Sequence, residues 1–374
     1  MTTPWRPARP PSVERTEDPM TVTSRLELHV SHPPRAFGTL QWLLDTECPP
    51  DWVAQLVRFG GGFFHSPVGL AVSKPEGVPL FARLLLGGEV AGIALATEVT
   101  CRFGRAPRHA YLPTLPALIC LGRRDEALKA LAEALRARGA AEVVIDSFDA
   151  RWRPGPAVPA PGHEPRLEFL MALDDADPAA LAHEFAEPHR RAVHHGERAG
   201  WTLRSVSGRD AWALLWLVQM SAADRQATTG SGFPVAVPDE VLTQRVDPAA
   251  PWGLETFSAW DGPNLLAAAL VGWAGNRAFY VMGGSTPDGD RAAASVWLQW
   301  RIMSLLIERG CRQYSLGGSP AAAASPVHAA HALYRFKTAF GADVLECRGA
   351  RWEYGRAHLF THDVARRMAG LLHT

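Results

Sequence analysis

The residue best suited to chemistry is a lysine near the C-terminus. Lysine occurs only at positions 74, 129 and 337, against 35 arginines, so the chain that takes arginine almost everywhere makes an exception at Lys337. Its sequence neighbours Tyr334, Phe336 and Phe340 are aromatic. Aromatic walls strip water from a compact ammonium. A desolvated ammonium aimed at a forming negative charge stabilises an oxyanion, such as the tetrahedral intermediate of acyl transfer. The local sequence leaves a second reading open, a surface lysine on an amphipathic segment.

Two other groups have anion-binding chemistry. Arg190, Arg191, His194 and His195 fall within less than two helical turns, with Glu187 and Glu197 nearby. They either meet phosphates of a nucleic acid or cofactor, or form a solvated helix face. Arg225, in a polar stretch after an apolar helix, carries a planar fork that grips a carboxylate or phosphate by paired hydrogen bonds, unless it pairs with Asp224 or solvent.

These side chains need a scaffold, and the pattern along the chain supplies one. Residues 23–32 and the run PLFARLLLGGEVAGIALATEV read as strands, the latter a hairpin turning at Gly87-Gly88. DWVAQLVRF has helical spacing, and residues 123–139 form the clearest helix, with Leu128, Leu131 and Leu135 on one stripe and Gly139 as its stop. AEVVIDSF follows as a buried strand. RWRPGPAVPAPGHEP, with five prolines and two glycines, reads as a linker. A second series then begins with a strand at 166–174 and an Arg-rich helix. An apolar helix ending near Ser221 follows, then three strands turning at Asp261-Gly262 and Gly275-Asn276, and a long helix near 291–309.

The second series resembles the second domain of the Fem-type aminoacyltransferases, in the tandem acetyltransferase-like superfamily. The resemblance rests on Tyr280, Gly283, Gly284 and Ser285 at a strand end, on Tyr314, Gly317 and Gly318, and on Leu333, Tyr334, Phe336, Lys337, Phe340 and Gly341. Arg190, Arg191, Val193, Gly200 and Trp201 match the family's Arg-rich helix. Ser315 stands where an aspartate is common, and Ala332 replaces a glycine. The resemblance covers about residues 40–355. It implies an α/β chain of two tandem acetyltransferase-like (GNAT) domains with mixed sheets and a cleft between them. The expected division is a disordered segment over 1–22, a first domain over 23–152, a linker over 153–165 and a catalytic domain over 166–349. Residues 350–374 are free to pack back on the first domain.

The resemblance also implies roles. Lys337 and Phe336 are the catalytic candidates; Arg225, Tyr280, Ser285 and Tyr334 are expected to bind substrate; Arg190, Arg191 and His194 are expected to meet the donor. Acetyl-CoA-dependent relatives carry a glycine-rich loop at a helix N-terminus to hold pyrophosphate. DRAAASVWLQW here lacks those glycines, and GRRDEALK in the first series is also a poor phosphate loop. That loss favours an aminoacyl-tRNA donor and an amide-forming transfer to an amine. The alternatives are an acyl-CoA-dependent N-acyltransferase and a peptidoglycan-precursor bridge aminoacyltransferase. FFHSPVGLAV lacks lysine and tryptophan and YLPTLPALIC lacks an acidic residue, which points away from a muropeptide acceptor and towards a small amine of secondary metabolism.

Composition sets the outer limits. The formal net charge is zero, so no global field favours nucleic acid or membrane, and any RNA contact must be local. The five cysteines, at 48, 101, 120, 311 and 347, have no metal spacing and fit a reducing cytoplasm. No apolar run is long enough for a membrane span, and no resident cofactor or metal is implied. The expectation is a cytoplasmic, monomeric enzyme.

Overall fold

The computed structural model describes residues 38–74, 77–99, 108–119, 121–174, 176–227 and 250–354. The segment 1–22, the strand read at 23–32, and residues 355–374 lie outside them.

Two mixed seven-stranded sheets carry the chain. The first contains β1 (Leu40–Asp45), β2 (Val78–Leu86), β3 (Glu89–Val99), β4 (Arg108–Leu112), β5 (Ala117–Leu118) and β6 (Ala140–Ile145). Helices α1 (Trp52–Phe59) and α2 (Pro67–Ser73) lie between β1 and β2, and α3 (Arg124–Ala137) precedes β6. The leucine stripe of α3 buries Leu128, Leu131 and Leu135 against Leu80, Leu84, Leu112 and Val143. Ser66 caps α2 by accepting the Gly69 N–H, which makes HSPVGLAV a helix although its short apolar run is ambiguous by pattern.

The segment 151–165 is not a free tether. Trp152 and Val158 are buried in the first core, and the Trp152 indole donates to the Pro116 carbonyl at 3.0 Å.

The second sheet contains β7 (Arg166–Ala172), β8 (Thr202–Val206), β9 (Trp252–Asp261), β10 (Asn264–Ala274), β11 (Arg277–Ser285), β12 (Gln313–Pro320) and β13 (Asp343–Cys347). Helices α4 (Pro178–Glu184), α5 (Glu187–Ala199), α7 (Pro287–Arg291), α8 (Ala294–Glu308) and α9 (His331–Thr338) accompany it, with α6 (Gly208–Ala227) packed on β9, β10 and β11. After β13 the chain returns: β14 (Ala350–Glu353) pairs antiparallel with β6 of the first sheet.

The sheets meet through the segment between β1 and β2. Phe63, Phe64 and Val72 pack with Leu215 and Val218 of α6 and with Ala268, Leu270 and Phe279 of the second sheet. The opposite face of that sheet holds a second core, with Phe169, Phe185, Trp297, Tyr314 and Phe340 buried between the strands and α4, α5 and α8.

Candidate active site

The site is built where two parallel strands separate. β11 and β12 pair only at Arg277 with Gln313, Ala278 with Tyr314 and Phe279 with Ser315, although β11 runs on to Ser285 and β12 to Pro320. On its other edge β12 slips register against β7 between Ser315 and Gly318. Such a bulge re-aims the groups that follow it. Gly317 sits in the slip at φ +72°, a conformation that costs an L side chain about 1–2 kcal/mol. A methyl group at Gly317 would also lie 3.2 Å from the Tyr280 carbonyl oxygen. The turned backbone sends the Gly317 N–H to Ser315 Oγ at 3.1 Å and leaves the Gly318 carbonyl facing α9.

Lys337 meets that carbonyl. Its Nζ donates to Gly318 O at 2.8 Å and lies 5.5 Å from the centre of the Phe169 ring, with the residue only 4% exposed. The surface-lysine reading is thereby overturned. Burial pulls the ammonium down to about 7, opposed by Glu168 and assisted by Arg166. An ammonium has three donors. Among the described residues one is taken by Gly318, which leaves two.

The charged frame behind Lys337 comes from β7 and β12. Glu168 is fully buried, takes the Arg166 guanidinium at 2.8 Å and accepts from Ser315 Oγ at 3.2 Å. The Arg166 guanidinium also covers the Phe148 ring at 4.3 Å. Sequence reasoning missed Glu168, Arg166 and Phe169, and noted Ser315 only as a departure from the family's aspartate. The available signal was a glutamate inside the apolar strand RLEFLMA, two residues from an arginine, since a buried carboxylate is rare without a partner.

The other candidates fall around this point. Phe336, read as an aromatic wall for Lys337, packs against His189 and Phe340, and its carbonyl accepts from His189 Nε2–H at 3.0 Å. One step along a helix turns a side chain by about 100°, so the residue before the lysine addresses another face. Phe169 of β7 is the ring that Lys337 meets, and Tyr334 packs on it edge to face at 5.8 Å. Tyr280 lies on β11 just past the last pair, half-buried, its phenol held above the ordinary range by burial. Ser285, at the far end of β11, bonds Ser295 Oγ at 3.1 Å and so ties that strand to the start of α8.

Arg190 and Arg191 differ. Arg190 is tied down, donating to the Phe185 carbonyl and the Glu187 carboxylate, both at 2.6 Å. Arg191 is 71% exposed, with Glu187 at 3.7 Å. His194 is exposed on the same helix. The contact from His189 to Phe336 places this helix beside the helix of Lys337. Arg225, read as a loop residue, lies within α6, which continues past Ser221 to Ala227; its side chain is outside the described residues. Among the described residues, no group of three or more His, Cys, Asp or Glu side chains converges as a metal site would, and no helix is long and apolar enough to cross a membrane.

Residues 184–338 match the family model of the acetyltransferase (GNAT) domain. Among solved structures, the chain is similar to the crystal structure of FemX at 14% identity and a TM-score of 0.59, over 80% of this chain and 93% of that one. It aligns less closely with a tandem GNAT protein from the clavulanic acid biosynthesis pathway, at 14% identity and a TM-score of 0.45 over 85% and 99% of the two chains. The third is L-PGS from Bacillus licheniformis, at 12% identity and a TM-score of 0.43 over 86% and 97%. No curated protein matches the chain. Residues 184–338 thus match an acetyltransferase (GNAT) domain, and the chain has the fold seen in FemX.

Proposed function

We propose that this protein moves an aminoacyl group from aminoacyl-tRNA to the amine of a small molecule, forming an amide bond, with residues 166–349 as the catalytic part. The observation that carries the reading is the buried Lys337 ammonium at the parting of β11 and β12. The amine nitrogen attacks the ester carbonyl carbon and a tetrahedral oxyanion forms. The carbon–oxygen ester bond then breaks, the amide remains, and the proton lost by the amine ends on the leaving ribose hydroxyl. No ATP enters. An ammonium fixed beside the carbonyl stabilises the oxyanion more than the neutral ester, which is the condition for acceleration. Tyr280, Ser285, Tyr334 and Arg225 are the candidate substrate contacts, and Arg191 with His194 the exposed donor contacts.

The segment entering α8 supports this donor over acyl-CoA. The N–H groups of Ala292 and Ala293 are spent on the Asp288 and Asp290 carbonyls within α7 and its end, at 3.1 Å each. Those two N–H groups are therefore not available to a pyrophosphate, and Asp288 and Asp290 add negative charge just before α8. The acyl-CoA reading keeps one argument, the acetyltransferase (GNAT) family match over 184–338.

The test is to incubate the protein with total tRNA charged with labelled amino acids and with a pool of small amines, and to follow the products by mass spectrometry. An aminoacylated amine whose formation ribonuclease abolishes supports the reading. Acylation that persists after ribonuclease and releases free thiol from acetyl-CoA or another acyl-CoA replaces it with the CoA-dependent one.

A further inference from the structure

Lys337 alone does not define the site, because something must hold its charge there. We propose that Glu168 is a positioning residue for the reaction, a buried carboxylate that keeps the Lys337 ammonium protonated and aimed between β11 and β12. This rests on the role given to Lys337 above.

The geometry argues it in two ways. First, Glu168 sets the shape of the strand that receives the lysine. It accepts from Ser315 Oγ at 3.2 Å, and that same oxygen accepts the Gly317 N–H at 3.1 Å. The relay holds the bulge that turns the Gly318 carbonyl to Lys337 Nζ at 2.8 Å. Second, Glu168 is the compensating charge. A fully buried carboxylate is costly unless paired, and its salt bridge to Arg166 at 2.8 Å would leave Lys337 without an anion if the two charges merely cancelled each other. Arg166 is the ion-pair partner of Glu168, and Lys337, bonded to Gly318, feels the same carboxylate through space.

The ionisable groups facing Glu168 come from every neighbouring element. Arg166 lies on β7, Lys337 on α9 and Cys347 on β13; Arg277 lies on β11, and Asp149 follows β6. Asp149 is committed to Arg277 at 2.6 Å. The Cys347 thiol is pushed up to about 12 and stays neutral. Glu168 is thus the anion that offsets the charge of Lys337, while Arg166 opposes it.

The chain's three lysines make the test direct. With lysine labelled at Cε by ¹³C, nuclear magnetic resonance reads each ammonium separately, and Lys337→Met assigns the third signal. In Glu168→Gln we expect the Lys337 titration midpoint to fall by about one pH unit or more, a tenfold loss of protonation at a fixed pH above the midpoint. Lys74 and Lys129 should not move. The alkaline limb of the turnover profile should fall with it. Ser315→Asp in the Glu168→Gln background should restore both.

An unmoved Lys337 midpoint in folded Glu168→Gln overturns the role of Glu168. A moved midpoint with an unmoved rate profile overturns the catalytic reading of Lys337 instead. If Glu168→Gln does not fold, the parent with ¹³C-labelled glutamate carboxyls decides. The Glu168 signal should then show a step at the Lys337 midpoint that Lys337→Met abolishes, and absence of the step overturns the proposal.

Discussion

Arg277 of β11 binds Asp149 across the junction of the two sheets at 2.6 Å, with both side chains only 3% exposed. The guanidinium also donates to the Gly60 carbonyl at 2.9 Å and to Gln313 Oε1 at 3.0 Å. Because Arg277 and Gln313 form the first pair of β11 and β12, this pin closes the end of the fork opposite Lys337. Gly62 is required beside it, since a side chain there would strike Asp149 Oδ2. Burial raises Asp149 to about 6, with Arg277 pulling it down.

Removing one partner leaves the other buried and unpaired. Arg277→Met should therefore cost about 3–5 kcal/mol in urea denaturation. Adding Asp149→Leu should return part of that loss, because an apolar pair of similar size is often nearly as stable. A single variant within about 1 kcal/mol of the parent would deny the pin its structural role.

Lys337→Met should separate activity from stability. Loss of an oxyanion donor typically lowers turnover about 100-fold to 1000-fold. Lys337→Arg should recover only part, because the broad guanidinium cannot occupy the point between Gly318 and Phe169. Stability should move the other way. The folded ammonium titrates near 7, well below an ordinary lysine, so between pH 7 and about 10 the unfolded chain binds more protons and the parent gains stability as pH rises. The methionine variant should accordingly be more stable by a few kcal/mol below pH 7, with the advantage shrinking above it. Turnover within threefold of the parent would end the catalytic assignment.

His65 should make the fold acid-sensitive. Its Nδ1 accepts the Gly62 N–H at 3.2 Å, and its Nε2–H donates to the Leu115 carbonyl at 3.1 Å. That arrangement needs a neutral ring, and burial with the nearby Arg277 charge depresses it to about 3. Below the ordinary histidine value the unfolded chain binds a proton that the folded chain refuses, so stability falls as pH drops from about 6.5 towards 3. Asp149, raised to about 6, contributes with the opposite sign between about 4 and 6. The His65 contribution is seen in the slope of stability against pH, which should be shallower in His65→Gln. An identical slope in the two proteins would remove His65 from the account.

The paired arginines of α5 should behave unequally. Arg191→Ala should change stability by less than about 0.5 kcal/mol, given its exposure. If it meets a donor phosphate, the slope of log affinity against log salt should flatten by about one. Arg190→Ala should cost about 1–3 kcal/mol, since its bond to the Phe185 carbonyl is lost. Isothermal titration with tRNA at several salt concentrations checks the first statement, and thermal unfolding the second.

Turn chemistry made much of the scaffold readable. Gly87 and Gly88 close the hairpin of β2 and β3, and Gly275 and Asn276 that of β10 and β11, each where the sequence places it, whereas the turn of β9 and β10 falls one residue later, on Gly262 and Pro263, because Asp261 still pairs with Asn264. Lys337 was legible through rarity rather than pattern. Its surroundings were not. Phe169 reaches it from a strand 168 positions earlier in the chain, and Asp149 reaches Arg277 across 128. No local periodicity encodes which distant strand will meet a side chain. Arg225 went astray differently: polar residues after Ser221 suggested a loop, yet the helix continues to Ala227, as tertiary context often permits.

The return of the chain to the first sheet sets the order in which the molecule can be completed. β6 ends at Ile145, but its partner β14 begins only at Ala350. On the ribosome, about 200 residues separate the two, or roughly 10–40 s at ordinary elongation rates. For that interval β6 presents a bare edge of unpaired backbone groups, the kind of surface that recruits a stray strand. A nascent chain therefore passes through a stage in which its first half is largely built but not sealed, and chaperones that shield strand edges should engage it there.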